Sequence, residues 1–151
     1  MIIIEPRVKQ LLIEDALNTF PDECCGFLFG REEHDGTRLV VDILVVDNSK
    51  EGDKTRRFVI SPQDYMAAET HALDHDWTLL GIYHSHPRHP AVPSEHDRVA
   101  AQPYFSYVII SVMESNVGAD SFHLRSWLLN EEQQFEEEEI IDTIHSLKSI
   151  K

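Results

Sequence analysis

Apolar side chains recur along the first twenty positions at helical spacing. Val8, Leu11, Leu12, Ala16, Leu17 and Phe20 share one face of a helix over residues 5–20, and Pro6 suits its first turn. The period then changes. The mostly apolar run over residues 23–31 predicts a strand and residues 37–47 a second, with Glu32-Glu33-His34-Asp35-Gly36 as a hairpin-like turn between them. Arg56 to Ile60 predicts a short third strand. Ser61-Pro62-Gln63-Asp64 is a strong helix start, with a Ser cap, Pro at the first position and an acid three residues on; that helix should run to about Asp76. Trp77 to His86 returns to strand, a proline-rich loop covers Pro87 to Pro93, and a short helix opens at Ser94. Strands are expected at 106–113 and near 122–130, while 135–141 fits either an edge strand or the start of a terminal helix. Helices mixed with mostly hairpin-linked strands predict an α/β (α+β) sandwich, a central mixed sheet flanked by helices.

The chain has 151 residues and shows no internal repeat or dividing linker, so one domain is expected over 1–151, with a core at about 5–130 and an acidic C-terminal segment at 131–151. A hydrophobic share of 42% is that of a globular protein. Lysine plus arginine number 13 against 27 acidic residues, a formal charge of −14 that repels a phosphate backbone and makes nucleic acid a poor partner. Cys24 and Cys25 are the only cysteines. As neighbours in a strand they point to opposite faces, so a disulfide between them would be strained and a reducing compartment fits best. The first residues lack the features of a signal peptide, and no apolar run reaches membrane-spanning length, so a soluble cytoplasmic protein is expected.

The chemistry concentrates in Gly81-Ile-Tyr-His84-Ser-His86-Pro-Arg-His-Pro-Ala-Val-Pro-Ser94-Glu-His-Asp97. Strand residues two apart face the same way, so His84 and His86 present both imidazoles to one point. Three prolines within residues 87–93 stiffen the loop that turns the chain back, and Asp97 lies one turn into the next helix, within reach of the pair. Two imidazoles and a carboxylate are a familiar catalytic zinc set; they leave a fourth tetrahedral position for a water whose pKa the metal lowers to about 7. A second carboxylate is then needed to move the water proton. Glu23, at the edge of an apolar run, is the best candidate, with Asp22 adjacent as the alternative. Ser94 can offer a hydroxyl to a developing oxyanion, or it can be no more than a helix cap with Asp97 as its first-turn acid.

Glu23, then His84-x-His86, seven residues, and Ser94-x-x-Asp97 resemble the signature of the JAMM (MPN-plus) metalloproteases. Gly81, Pro87 and the Cys25-Gly26 pair are similar to bacterial members of that family. The resemblance covers roughly residues 5–130 and implies an MPN-like sandwich. It also implies one zinc per chain on His84, His86 and Asp97, with Glu23 as general acid/base and Ser94 steadying the intermediate. Such enzymes cut peptide or isopeptide bonds, and compact bacterial members are associated with ubiquitin-like sulfur-carrier proteins ending in Gly-Gly. The insertions that grip ubiquitin chains have little room here. Two rivals are a non-catalytic MPN-type scaffold, which typically lacks the ligand set, and the RadC branch, which usually shows His-Asn-His where this chain has His84-Ser85-His86. Other histidines have plainer readings. His71 and His75 lie at i and i+4 on a helix without an evident third ligand, and His89 and His96 read as solvated loop residues. Cys24 and Cys25 sit in an apolar run, where packing rather than thiol catalysis is expected.

Overall fold

The computed structural model describes residues 1–113 and 122–141; the last ten positions of the expected acidic segment, 142–151, lie outside them. Its elements are β1 (Ile2–Ile4), α1 (Pro6–Thr19), β2 (Cys25–Glu32), β3 (Arg38–Val46), α2 (Pro62–Asp74), β4 (Thr78–Pro87), α3 (Glu95–Ala100), β5 (Ser106–Val112), β6 (His123–Leu129), β7 (Phe135–Glu138) and β8 (Ile140–Ile141). The strands form a mixed sheet in the order β7-β6-β5-β4-β2-β3-β1-β8. β1 runs parallel to β3 and β8, and β4 parallel to β5; the other pairs are antiparallel. This is the expected mixed α+β sandwich.

Each face of the sheet carries its own apolar layer. Val8, Leu12 and Ala16 of α1 pack on Leu28, Leu80, Tyr83, Val108 and Ile110, so the stripe read at helical spacing is the buried one. Ala68 and Ala72 of α2 cover Phe27, Phe29, Ile82 and Tyr107 on the opposite face. In β2 the alternation decides which thiol goes where: Cys24, just before the strand, joins the α1 layer and Cys25 the α2 layer, and both are free and buried. Among the described residues, no helix is long and apolar enough to cross a membrane.

A bulge in β4 sets the phase of the candidate site. Leu28 pairs with Gly81 but Phe29 pairs with Leu79, so Leu80 is the extra residue. It turns toward α1, and from Ile82 onward the even positions face the other way, which brings His84 and His86 to the α2 and α3 side. Gly81 sits where β4 meets β5: a Cβ there would lie 1.9 Å from the Ser106 carbonyl oxygen, so only glycine fits.

Two expectations need correction, and one left open is resolved. Arg56 to Ile60 is not a strand. It runs beside Asn48 and Ser49 without forming a ladder: Asn48 Nδ2 donates to the Arg57 carbonyl at 3.0 Å, Asn48 Oδ1 accepts the Val59 N–H at 3.1 Å, and the Ser49 N–H donates to the Val59 carbonyl at 2.9 Å. Glu23 does not open β2, which begins at Cys25. Of the two readings open for 135–141 the edge strand holds, and its two halves pair at opposite ends of the sheet, β7 with β6 and β8 with β1. One short stretch thereby joins the sheet's two edges, and the Ile2 N–H donates to the Glu139 carbonyl at 2.9 Å between them.

Candidate metal centre

His84 and His86 come from the end of β4 and Asp97 from α3, with the proline-rich loop between them. Their Nε2 atoms are 3.2 Å apart, and the same oxygen, Asp97 Oδ2, lies 3.4 Å from His84 Nε2 and 3.2 Å from His86 Nε2. The loop fixes the chemistry of His86. Its Nδ1 is 2.8 Å from the Pro90 carbonyl oxygen, which can only accept, so Nδ1 carries the proton and the Nε2 lone pair of the neutral ring faces Asp97. Burial lowers the pKa of His84, against the pull of Asp97, and favours the neutral imidazole. Burial acts on His86 as well, but the hydrogen bonds to Asp97 and Pro90 outweigh it and raise its pKa. For Asp97 burial is outweighed by the His84 charge and by bonds from both imidazoles and the Ser94 N–H, which hold its carboxyl well below the usual range.

Three electron-pair donors thus converge with edges of 3.2–3.4 Å. A tetrahedral zinc site with bonds of about 2.0–2.1 Å has ligand–ligand edges of roughly 3.3–3.4 Å, so a cation of that kind fits this donor set. Without a cation, an imidazole proton must be shared among them.

Asp97 is held by the helix cap itself. Ser94 Oγ accepts the Asp97 N–H at 3.0 Å, and Asp97 Oδ2 accepts the Ser94 N–H at 2.8 Å, a reciprocal capping box that aims the carboxylate at the imidazoles. Ser94 is therefore a cap in this structure, with its hydroxyl proton still able to point elsewhere. It borders a cleft of about 490 Å³ together with Glu23, Arg56, His86 and His89. A second, smaller and mostly apolar pocket of about 210 Å³ adjoins His84, His96 and Asp97 and is walled by Phe58, Ile60, Tyr65, Ile82 and Tyr107. Phe58 stacks on the His84 ring at 4.5 Å between centroids.

Glu23 is the second carboxylate at this centre. It is 3% exposed, its Oε1 has no hydrogen-bond partner among the described residues, and it forms with His84 and His86 a group whose ligand atoms lie within 4.8 Å of one another. Burial pushes its carboxyl up to about 8; the His86 charge opposes this and the Asp97 charge adds to it. Two trios therefore share the imidazole pair, one completed by Asp97 and one by Glu23. The Asp97 oxygen, at 3.2 and 3.4 Å, is at ligand spacing from both rings.

The remaining candidates separate from this centre. The His71 and His75 rings lie 4.3 Å apart between centroids, tilted by 40°, His75 Nδ1 is 2.8 Å from the His71 carbonyl oxygen, and His71 Nε2 is 4.0 Å from Asp42 Oδ2. No group of three close metal-binding side chains among the described residues includes either. Burial raises the Cys25 thiol to about 12 and the Cys24 thiol well above its ordinary value, which disfavours a thiolate nucleophile. Arg56, Phe58 and Pro90 border the site without having been singled out in the sequence. An extended stretch rich in large side chains between two elements was the available signal for the first two.

An acid, two strand histidines and a capped aspartate on a helix-flanked mixed sheet define a scaffold of the JAB/MPN kind, with a cluster that could hold a metal. The family described as prokaryotic homologs of the JAB domain matches residues 5–130, and the chain belongs to it. The chain is similar to a desampylase from Pyrococcus furiosus, 25% identical over 139 residues, 92% of this chain and 89% of that protein. It also resembles tail tip assembly protein K of Escherichia phage N15, 32% identical over 93 residues, 61% of this chain; the match spans about a third, 33%, of the phage protein. A Desulfitobacterium hafniense protein solved in solution superposes with a TM-score of 0.81 at 30% identity, covering 95% of this chain and 93% of that one. A Salinibacter ruber protein superposes with a TM-score of 0.70 at 34% identity, covering 95% and 92%.

Proposed function

We propose that the chain is a zinc-dependent metallopeptidase of JAMM type, with His84, His86 and Asp97 as metal ligands, Glu23 as proton carrier and Ser94 as oxyanion donor. The convergence of two Nε2 atoms and Asp97 Oδ2 at 3.2–3.4 Å carries this reading, because that spacing suits one small cation and leaves Glu23 as a separate, unpartnered acid. Zinc, when bound, supplies Lewis acidity that polarises the scissile carbonyl and acidifies water. Glu23 takes the proton of the attacking water as its oxygen bonds to the carbonyl carbon. It then gives that proton to the leaving nitrogen as the C–N bond breaks. Burial favours the first of these steps, since a carboxyl pushed up to about 8 is a stronger base than an exposed one. Ser94 lines the cleft shared with Glu23 and His86, and its hydroxyl, whose proton the cap does not use, donates to the carbonyl oxygen as that oxygen gathers charge.

The substrate we propose is the C-terminal Gly-Gly tail of a ubiquitin-like or sulfur-carrier protein. The desampylase relative, aligned over nearly the whole chain, supports a modifier of that class. A tail without side chains can pass along a cleft that is open to solvent. The test is hydrolysis of a Gly-Gly-linked fusion by zinc-loaded wild type and Glu23→Gln. With zinc bound to both, turnover by the variant should fall roughly 10²–10⁴-fold below the wild type and leave a small residual rate. Equal turnover by the variant assigns the proton carrier elsewhere, and no turnover by either on any such fusion returns the protein to the scaffold reading.

A further inference from the structure

Glu23 lies two residues before β2, beyond the last ladder pair between β2 and β4, Cys25 with His84. Strand pairing therefore does not place the carboxylate, and side chains do it instead. Ser85 points away from the face of its neighbours His84 and His86, and it is fully buried. Its Oγ accepts the Cys24 N–H at 2.8 Å, and its own N–H donates to the Cys24 carbonyl at 3.2 Å. These two bonds fasten the residue after Glu23 to the strand that carries both imidazoles.

Asn48 fastens the other side. Its Nδ2 donates to the Glu23 carbonyl at 3.1 Å and to the Arg57 carbonyl at 3.0 Å. Its Oδ1 accepts the Lys50 N–H at 3.0 Å and the Val59 N–H at 3.1 Å. Two donors and two acceptor lone pairs are all used, which fixes the amide's orientation and ties Glu23 to the segment walling the apolar pocket. The Glu23 N–H donates to the Lys54 carbonyl at 2.8 Å, so the same loop grips it from both ends.

We propose that Ser85 and Asn48 are positioning residues that hold Glu23 against the imidazole pair. This rests on the peptidase reading above. Glu23 is buried without a partner for Oε1, so its own carboxylate makes no bond there that would hold it, and the backbone must. Displacing a proton carrier by about an ångström costs up to roughly a hundredfold in rate, whereas the ligands, fixed by β4 and the Ser94–Asp97 cap, stay in place.

A double-mutant cycle on the zinc-loaded full chain tests this, with a Gly-Gly-linked fusion as substrate. Ser85→Ala and Asn48→Ala should each lower kcat roughly tenfold to a hundredfold with KM and zinc content unchanged. In a Glu23→Gln background, whose residual rate no longer uses the carboxylate, neither should cost anything further. The same fold-loss in both backgrounds, or no loss in the wild-type background, overturns the proposal. Amide hydrogen exchange reads the clamp without activity. The Cys24 amide, bonded to Ser85 Oγ, should lose protection in Ser85→Ala, and the Val59 amide, bonded to Asn48 Oδ1, in Asn48→Ala, while Phe27 in β2 stays protected. If the wild type cleaves nothing, the peptidase reading fails. The clamp is then judged by exchange alone, and unchanged protection in both variants sinks it.

Discussion

Ser94 and Ser61 cap two helices in nearly the same way, and the comparison isolates what else Ser94 does. Ser94 Oγ accepts the Asp97 N–H at 3.0 Å, and Ser61 Oγ accepts the Asp64 N–H at 3.1 Å. Replacing either by alanine removes one cap bond, at a cost of about 1 kcal/mol. Zinc content should survive in Ser94→Ala, because the Ser94 backbone N–H, which the substitution leaves, still holds Asp97 Oδ2 at 2.8 Å. The difference lies in the cleft, where Ser94 lies with Glu23 and His86. Loss of an oxyanion donor lowers kcat by about 10²–10³, or roughly 2.7–4 kcal/mol of transition-state stabilisation. Denaturant midpoints at equal m-values measure the stability of both variants, and kcat per folded, zinc-loaded molecule measures the rest. Both variants should lose similar stability, and only Ser94→Ala should lose turnover. Equal kcat in the two would reduce Ser94 to a cap and refute its catalytic role.

In metal-stripped protein, Glu23→Gln should be more stable than wild type at pH 8, with the gain fading toward pH 4. Below about 4.5 the carboxyl is protonated in both folded and unfolded chains; between there and about 8 only the unfolded chain ionises, so wild-type stability falls as pH rises. Each pH unit in that window is worth at most about 1.4 kcal/mol, and a wild type as stable as the variant at pH 8 would contradict the burial argument. Gly81→Ala places a Cβ 1.9 Å from the Ser106 carbonyl oxygen, so thermal unfolding should show a loss at or above the usual overpacking range of about 1–3 kcal/mol. An unchanged melting temperature would show that β4 and β5 can separate freely.

The imidazole pair was legible because strand periodicity alone sends His84 and His86 to one side, and Ser94 because cap chemistry is local. Asp97 follows from the same cap, although that its carboxylate oxygen bonds the Ser94 N–H while facing both rings is visible only in three dimensions. Glu23 was reached by resemblance: it is 61 residues from His84, and the bonds that bring it there run through Asn48 and Ser85, which carry no pattern. β1 was missed because three consecutive isoleucines show no alternation; both faces of this strand are buried, between β3 and β8. The bulge at Leu80 and the bridging of the sheet edges by residues 135–141 depend on partners distant in the chain. The expected strand at 56–60 failed because the residues there bond the Asn48 side chain and the Ser49 N–H, in a loop, rather than a neighbouring strand.

The central claim is that His84, His86 and Asp97 hold the metal and that Glu23 stands outside its ligand set. Zinc per folded chain in wild type, Asp97→Ala and Glu23→Ala, prepared and dialysed side by side, tests it directly. The account predicts about one zinc in the wild type, close to none in Asp97→Ala and about one in Glu23→Ala. Retention in Asp97→Ala with loss in Glu23→Ala would make the buried trio of Glu23, His84 and His86 the metal site and would contradict the account.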